Sequence, residues 1–84
     1  MLYLAEFYLP AGASLTGVAR RARAGAAQAA ARTGAQVRFI QAVFVPHDES
    51  CFALYQASSA EEVTAAGALA GLEYDRVVEA LTVP

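Results

Sequence analysis

The sequence contains few of the residues that most often mark a specific chemistry. Among 84 residues there are one cysteine, one histidine and no tryptophan, and all six cations are arginine. A single cysteine cannot form an intrachain disulfide, so nothing in the chain requires an oxidising compartment. One histidine and one cysteine also lack the spaced pairs of a structural zinc site, so the sequence carries no zinc-finger pattern.

Positive charge is also scarce. The formal net charge is −2, and this predicts neither nucleic acid nor an anionic membrane surface as a partner, because either would need a basic face. The one basic cluster, Arg20, Arg21 and Arg23, lies within a helical pattern. We expect it to be an ordinary solvated helix face, although the sequence leaves open whether it binds anything.

The chain has no targeting or membrane-spanning pattern. Its first ten residues, M-L-Y-L-A-E-F-Y-L-P, lack a charged start and carry Glu6 inside the apolar run. We therefore expect neither a signal peptide nor a membrane span, and a cytoplasmic protein. The length predicts one domain over residues 1–84. The hydrophobic content of 57% is more than one small core can bury, which predicts self-association.

The pattern of the first half predicts a strand, a helix and a hairpin. Residues 2–9 form a strand that ends at Pro10, and Ser14 is the expected N-cap of a long alanine-rich helix that ends at Gly34. Two runs rich in aromatic and β-branched residues, V-R-F-I-Q-A-V-F-V and C-F-A-L-Y-Q-A, then flank the loop P-H-D-E-S. This arrangement is typical of a β-hairpin.

The second half adds a shorter helix and a last strand. Ser59 and Glu62 form a capping box, Gly71 ends the helix, and residues 72–81 return as a strand. The order β-α-β-β-α-β predicts an α+β ferredoxin-like sandwich, in which a four-stranded antiparallel sheet of order 4-1-3-2 carries both helices on one face.

The alternation along the strands predicts what each face of the sheet carries. The first strand has one face without charged residues, which we expect to face the core; it consists of Tyr3, Ala5, Phe7 and Leu9. The face away from the helices is expected to collect polar side chains, namely Glu6, Tyr8, Gln41, Cys51 and Tyr55, with Glu79 joining them in the preferred phase of the last strand. On this assignment Phe39, Val43, Ala53 and Tyr55 would face water, so we predict a homodimer through the open face.

Two places could hold chemistry. Glu6 and Glu79 are expected on neighbouring strands, where two partly buried carboxylates need a shared proton, an arginine such as Arg38 or Arg76, or a metal. The hairpin loop places His47, Asp48 and Glu49 close to Cys51, and these residue types suit nickel or zinc. An ion here would need ligands from several strands or from a second subunit. The alternatives are an exposed polar loop and a Cys51 that is simply a small buried hydrophobe.

Several runs resemble a known family. The stretches E-F-Y-L-P, V-F-V-P-H-D-E-S-C, C-F-A-L-Y-Q-A-S-S-A-E-E-V, A-G-A-L-A-G-L and R-V-V-E-A are similar to those of small bacterial ferredoxin-like proteins of a domain family of unknown function, whose best-known member is called a nickel-binding protein. The resemblance covers nearly the whole chain. It implies a ferredoxin-like homodimer and nickel binding, with His47, Asp48, Glu49, Cys51 and Glu6 as the chemical candidates for ligands.

These observations lead to three functional hypotheses. The first is a small dimeric accessory protein that binds a divalent metal, with nickel as the expected ion, rather than an enzyme. The second is a cofactor-free enzyme of the monooxygenase, isomerase or cyclase type, with a pocket between sheet and helices and with Glu6, Tyr8 and Tyr55 as acid–base groups. The third is an interaction module without a ligand.

Overall fold

The predicted ferredoxin-like arrangement is confirmed in the computed structural model, which describes residues 1–84. The four strands pair in the order β2-β3-β1-β4, and every pair is antiparallel. This is the predicted order 4-1-3-2 read from the other side. The elements in chain order are β1 (Leu2–Tyr8), α1 (Leu15–Thr33), β2 (Arg38–Val45), a single 3₁₀ turn (Pro46–Asp48), β3 (Ser50–Gln56), α2 (Ala60–Leu69) and β4 (Arg76–Ala80).

Helix α1 begins and ends where the sequence predicts. The Ser14 hydroxyl oxygen accepts a hydrogen bond from the Gly17 amide at 3.0 Å, and Gly34 takes the left-handed conformation (φ 72°) that closes the helix. Gly25 lies where α1 crosses α2, because a Cβ atom there would come within 2.5 Å of the Ala66 carbonyl oxygen. The two helices can approach this closely only with a glycine at that position.

Helix α2 has half of the predicted capping box. The Ser59 hydroxyl accepts from the Glu62 amide at 3.3 Å. The Glu62 carboxylate does not return to the amide of Ser59. It accepts instead from the Ser58 amide at 2.9 Å and from the Gln36 amide at 3.2 Å. Glu62 therefore also connects the start of α2 to the segment that leads into β2.

The core lies between the sheet and the two helices, and the face predicted for β1 is confirmed. The side chains of this face are all buried, namely Tyr3, Ala5 and Phe7 in β1 and Leu9 directly after the strand. In β3 the register sets Tyr55 opposite Tyr3 and Cys51 opposite Phe7, so these β3 residues share the helix-facing side. Both Tyr55 and Cys51 are fully buried.

The predicted content of the open face was wrong for four residues of β2 and β3, and for Glu79 of β4. Tyr55 and Cys51, expected there because they carry polar atoms, lie in the core together with Ala53. Phe39 is also buried in the core, although simple alternation placed it opposite Ala42 and Phe44. The register of β2 shifts between Phe39 and Gln41, and this bulge brings Phe39 onto the same face as those two residues.

Aromatic rings fill the space between the sheet and the helices. The Tyr55 and Tyr74 hydroxyls hydrogen-bond to each other at 2.5 Å, while Phe7 packs on Tyr74 with ring centroids 5.2 Å apart. Phe39 meets the Tyr55 ring edge-on at 5.6 Å. Gly67 leaves the room for Tyr74, because a Cβ atom there would lie 2.5 Å from the Tyr74 ring.

Candidate functional site

The open face of the sheet carries a band of apolar side chains across all four strands. In its centre Leu4 lies between Leu54 of β3 and Val78 of β4. Val43 pairs with Phe52 at the β2 side of the same face. The exposed fractions are 51% for Val43 and 38% for Val78, which is high for valine in a sheet. The members of the band are Leu2, Leu4, Val43, Val45, Phe52, Leu54, Val78 and Ala80.

Glu6 is the acidic group within this apolar band. It stands between Phe52 of β3 and Arg76 of β4. The Arg76 Nε atom lies 3.6 Å from its Oε1 atom, and both side chains remain partly exposed to solvent, by 64% for Arg76 and 40% for Glu6. Arg76 is one of the two arginines expected to balance this carboxylate. The preferred phase of the last strand was wrong, because Glu79 pairs with Tyr3 and so lies on the helix side, away from Glu6.

The hairpin loop presents two of its three candidate ligands to solvent. His47 and Asp48 are exposed in the 3₁₀ turn. Glu49 follows in the left-handed conformation, with φ 50°. Its carbonyl oxygen accepts from the Leu9 amide at 3.0 Å, and its Oε2 atom accepts from the Ala11 amide at 2.8 Å.

These bonds give Glu49 a structural task. They connect the β2–β3 loop to the segment between β1 and α1. Both loops lie at the same end of the strands, where Tyr8 pairs with Ser50. One carboxylate oxygen of Glu49 is engaged by a backbone donor, and the hydrogen bonds that are present leave Oε1 free of a partner.

Cys51 lies on the other side of the sheet from Glu6. It is fully buried in the core, and the alternative interpretation of Cys51 as a small buried hydrophobe agrees with this position. Burial raises the pKa of its thiol, and the opposing effect of a hydrogen bond from the Phe52 backbone is smaller. A neutral buried thiol is a poor metal ligand, because the thiolate is the ligating form.

No three of the histidine, cysteine, aspartate and glutamate side chains of one chain lie close enough to hold a metal ion together. His47, Asp48 and Glu49 are consecutive in the loop, but their side chains do not converge on a common point. Glu6 is separated from that loop by the Tyr8–Ser50 pair of the sheet. The donor types suit nickel, but a single chain supplies an incomplete ligand set.

The acid–base groups proposed for an enzyme are divided between the two faces. Tyr8 is 63% exposed on the open face, together with Glu6, whereas Tyr55 is buried beneath the helices. Burial raises the pKa of the Tyr55 phenol, against a smaller lowering by the hydrogen bond with Tyr74. Burial raises the pKa of Tyr74 as well, and its hydrogen bond with Tyr55 adds to the rise. The two phenols are therefore neutral across the physiological range.

Tyr74 is the aromatic residue of the interior that the sequence analysis missed. It lies in the connection between α2 and β4 rather than in a strand. The one feature of the sequence that relates to this position is Gly67, seven residues earlier. Because glycine has no side chain, the Tyr74 ring can pack directly against the backbone there.

A groove of about 600 Å³ lies elsewhere on the surface, between the C-terminal end of α1 and the exposed side of α2. Arg32, Glu61 and Leu69 are among the residues that line it, and none of the candidate ligands does. Neither helix has the length and the apolar composition needed to cross a membrane.

Comparisons with known proteins bear on these features. The family model described as nickel responsive protein SCO4226-like matches residues 3–80. Among solved structures, the chain is similar to SCO4226 from Streptomyces coelicolor A3(2), with a TM-score of 0.78, 20% sequence identity and all of both chains covered. At that identity the similarity shows a shared fold. No curated protein matches the sequence significantly.

Proposed function

Since the chain belongs to the SCO4226-like family of nickel responsive proteins, we propose that it is a small accessory protein that binds a divalent metal as a homodimer. Nickel is the expected ion, and the protein acts by binding rather than by catalysis. The proposal includes a cytoplasmic location and no nucleic-acid or membrane partner. The observation that carries it is the exposed pair His47 and Asp48, next to an apolar sheet face that suits a second copy.

The open face supports the homodimer. Its apolar band crosses the whole sheet, and Val43, Val45 and Val78 are among the most exposed large hydrophobic side chains of the chain. Contiguous apolar patches of this kind mark protein–protein contacts on small domains. Two sheets that pack face to face lie about 10 Å apart, and their side chains interdigitate to exclude water. A two-fold axis through this face would place Glu6 and Arg76 of both copies within the same interface.

The metal would take its first ligand from the hairpin loop. A neutral imidazole with carboxylate oxygens is a donor set that nickel accepts, and His47 with Asp48 offers both without any rearrangement of the core. Glu49 would join them only if its side chain moved, because the three side chains do not converge in a single chain. Glu6 is the candidate on the sheet, and Cys51 would bind only if β3 opened. Further ligands would come from a second copy or from water.

Substitution of Val43 tests the dimer. Light scattering at micromolar concentration is expected to report a dimer for the wild type and a monomer for Val43→Asp, because the new carboxylate would be buried without a partner. The matched control is Leu69→Asp, which places the same charge on an exposed apolar position of α2 and is expected to leave the dimer intact. A monomeric wild type, or a Val43→Asp protein that remains dimeric, would contradict the assignment of the interface.

Substitution of His47 tests the metal site. Calorimetric titration of nickel into untagged protein is expected to show binding to the wild type and much weaker binding to His47→Ala, with an unchanged melting temperature because His47 is exposed. Binding should weaken as the pH falls, because protons compete with the metal for its ligands. Glu61→Gln, on the exposed surface of α2, serves as the control. Equal affinities for wild type and His47→Ala would exclude His47 and direct attention to Glu6, and no binding to either protein would refute the metal function.

A further inference from the structure

Strand β2 has an edge that no other part of the sheet covers. It is one of the two outermost strands in the order β2-β3-β1-β4, and it is eight residues long, from Arg38 to Val45, against five for β4. Alternate residues of an outermost strand direct their amide and carbonyl groups away from the sheet, where they can pair with another extended chain. The bulge between Phe39 and Gln41 disturbs one end, and from Gln41 to Val45 the pairing with β3 is regular.

A cleft of about 470 Å³ lies beside this edge, between β2 and helix α1. Ala19, Phe39 and Ala42 contribute apolar surface to it, and Arg20 and Arg23 contribute the two cations. The two arginines are three residues apart, so they lie on the same side of the helix. The Cζ atom of Arg23 is 5.3 Å from the centre of the Phe39 ring, and this cation–π contact holds the guanidinium over the cleft.

The cations of α1 have no acidic partners within the chain. The helix contains four arginines and neither aspartate nor glutamate. The one salt bridge of the structure joins Arg76 to Glu6, far from this helix in the sequence and on the open face of the sheet. In a protein of net charge −2, the wall of this cleft is therefore a local positive surface with unused hydrogen-bond donors.

From these observations we infer that an extended acidic peptide binds along the outer edge of β2 as a fifth strand, with acidic side chains opposite Arg20 and Arg23. Added strands gain affinity from main-chain hydrogen bonds, while the side chains that point toward the helix supply specificity. Nucleic acid lacks the regular main-chain donors and acceptors that match a strand edge. The site is separate from the open face proposed for the dimer, so a dimer would carry two such edges.

The probe for this site is a fluorescein-labelled peptide of eight residues that alternates glutamate and valine. Fluorescence anisotropy at low salt is expected to show binding to the full-length protein, and a lysine–valine peptide of the same length should not bind. The double variant Arg20→Gln/Arg23→Gln should bind about tenfold more weakly, as two partly exposed ion pairs contribute modestly. The control Arg32→Gln removes an arginine of the same helix that lines a different groove, and it should bind as the wild type does.

A second measurement distinguishes strand addition from plain charge attraction. Amide hydrogen exchange is expected to slow along β2 when the peptide is bound, whereas attraction to the arginines alone would leave those amides unchanged. Arg23→Lys keeps the positive charge but loses the guanidinium that packs on Phe39. It should retain most of the affinity for the acidic peptide, so a comparison with the double glutamine variant shows how much of the affinity depends on charge. Peptide binding without protection of β2, undiminished binding to the double variant, or tighter binding of an eight-nucleotide single strand of DNA would each overturn the inference.

Discussion

Replacing the hydroxyl of Tyr74 should destabilise the protein more than the loss of one surface hydroxyl would. Tyr55 is fully buried, and its hydroxyl has the Tyr74 hydroxyl as its hydrogen-bond partner. Tyr74→Phe therefore removes a hydrogen bond and also leaves the Tyr55 hydroxyl buried without a partner. A net hydrogen bond contributes about 1 kcal/mol and an orphaned buried hydroxyl costs about 1–3 kcal/mol, so we expect a loss of about 2 kcal/mol in the free energy of unfolding.

Tyr55→Phe, which removes the other hydroxyl of the pair, should lower the free energy of unfolding less than Tyr74→Phe does. Tyr74 is only half-buried, so after Tyr55→Phe its hydroxyl can turn toward water, and we expect a loss of about 1 kcal/mol. The double variant removes both polar groups together, and its loss should be smaller than the sum of the two single losses by about 1 kcal/mol. Chemical denaturation of the four proteins gives this coupling free energy directly.

The same pair predicts how stability depends on alkaline pH. Burial raises the pKa of Tyr55 and Tyr74 above their ordinary value of 10.0, and it raises the pKa of Cys51 above its ordinary value of 9.0. The unfolded chain loses these protons first, so the stabilisation is complete below about pH 9 and decreases as pH rises beyond it. The double Phe variant should show a shallower alkaline decrease than the wild type.

Tyr8→Phe is the control for the comparison of the Tyr55 and Tyr74 variants. Tyr8 is 63% exposed on the open face, and its hydroxyl can hydrogen-bond to water. In the Val43→Asp background, which we expect to be monomeric, the substitution should change the stability by less than about 0.5 kcal/mol. A Tyr74→Phe protein as stable as Tyr8→Phe in the same background, or a double variant whose loss equals the sum of the singles, would refute the argument that the two phenols satisfy each other.

Two other substitutions test the helices. Ser59→Ala should lower stability by about 1 kcal/mol through loss of the N-cap bond of α2, and an unchanged melting temperature would show that Ser59 does not cap the helix. Gly25→Ala should destabilise by about 1 kcal/mol net, because contact with the Ala66 carbonyl outweighs the gain in helix propensity. Gly12→Ala, where a Cβ atom would meet nothing within 4 Å, should be neutral or slightly stabilising. A stabilised Gly25→Ala protein would contradict the close helix crossing.

The fold was predictable because local signals agreed with one another. Ser14 and Gly34 mark both ends of α1, Ser59 marks the start of α2, and the alternation of β1 gives its buried face without ambiguity. Each of these signals acts within a few residues of the chain. Together they define the order of elements, and the β-α-β-β-α-β order leaves few compact arrangements for a chain of this size.

The contents of the two faces were less predictable because they depend on distant contacts. Nothing near Ile40 in the sequence indicates the bulge that moves Phe39 into the core. Tyr55 was assigned to the open face on account of its hydroxyl, but Tyr74, nineteen residues further on, supplies a buried partner. The phase of β4 is set by its pairing with β1, and the alternation of V-V-E-A fits either phase.

For the candidate metal ligands, too, the sequence predicted what depends on neighbouring residues and not what depends on distant contacts. The loop position of His47, Asp48 and Glu49 follows from the sequence alone, since a short polar segment between two strands must turn. The hydrogen bond from the Ala11 amide to the Glu49 carboxylate forms because two loops meet at one end of the strands. No local sequence pattern indicates that contact. Cys51 is near the loop in sequence but faces the core, because strand residues alternate between faces.

Native mass spectrometry of the untagged protein, titrated with nickel, shows whether two copies bind the metal together, because it reports assembly and metal content in one spectrum. We expect a dimer that gains nickel as the concentration rises, and a His47→Ala dimer that gains much less. We also expect the Val43→Asp variant to be a monomer that takes up little nickel, since one chain supplies an incomplete set of ligands. A wild-type dimer that stays free of nickel at saturating concentrations, or a monomer that loads as readily as the dimer, would contradict the proposal that this family member binds nickel between two copies.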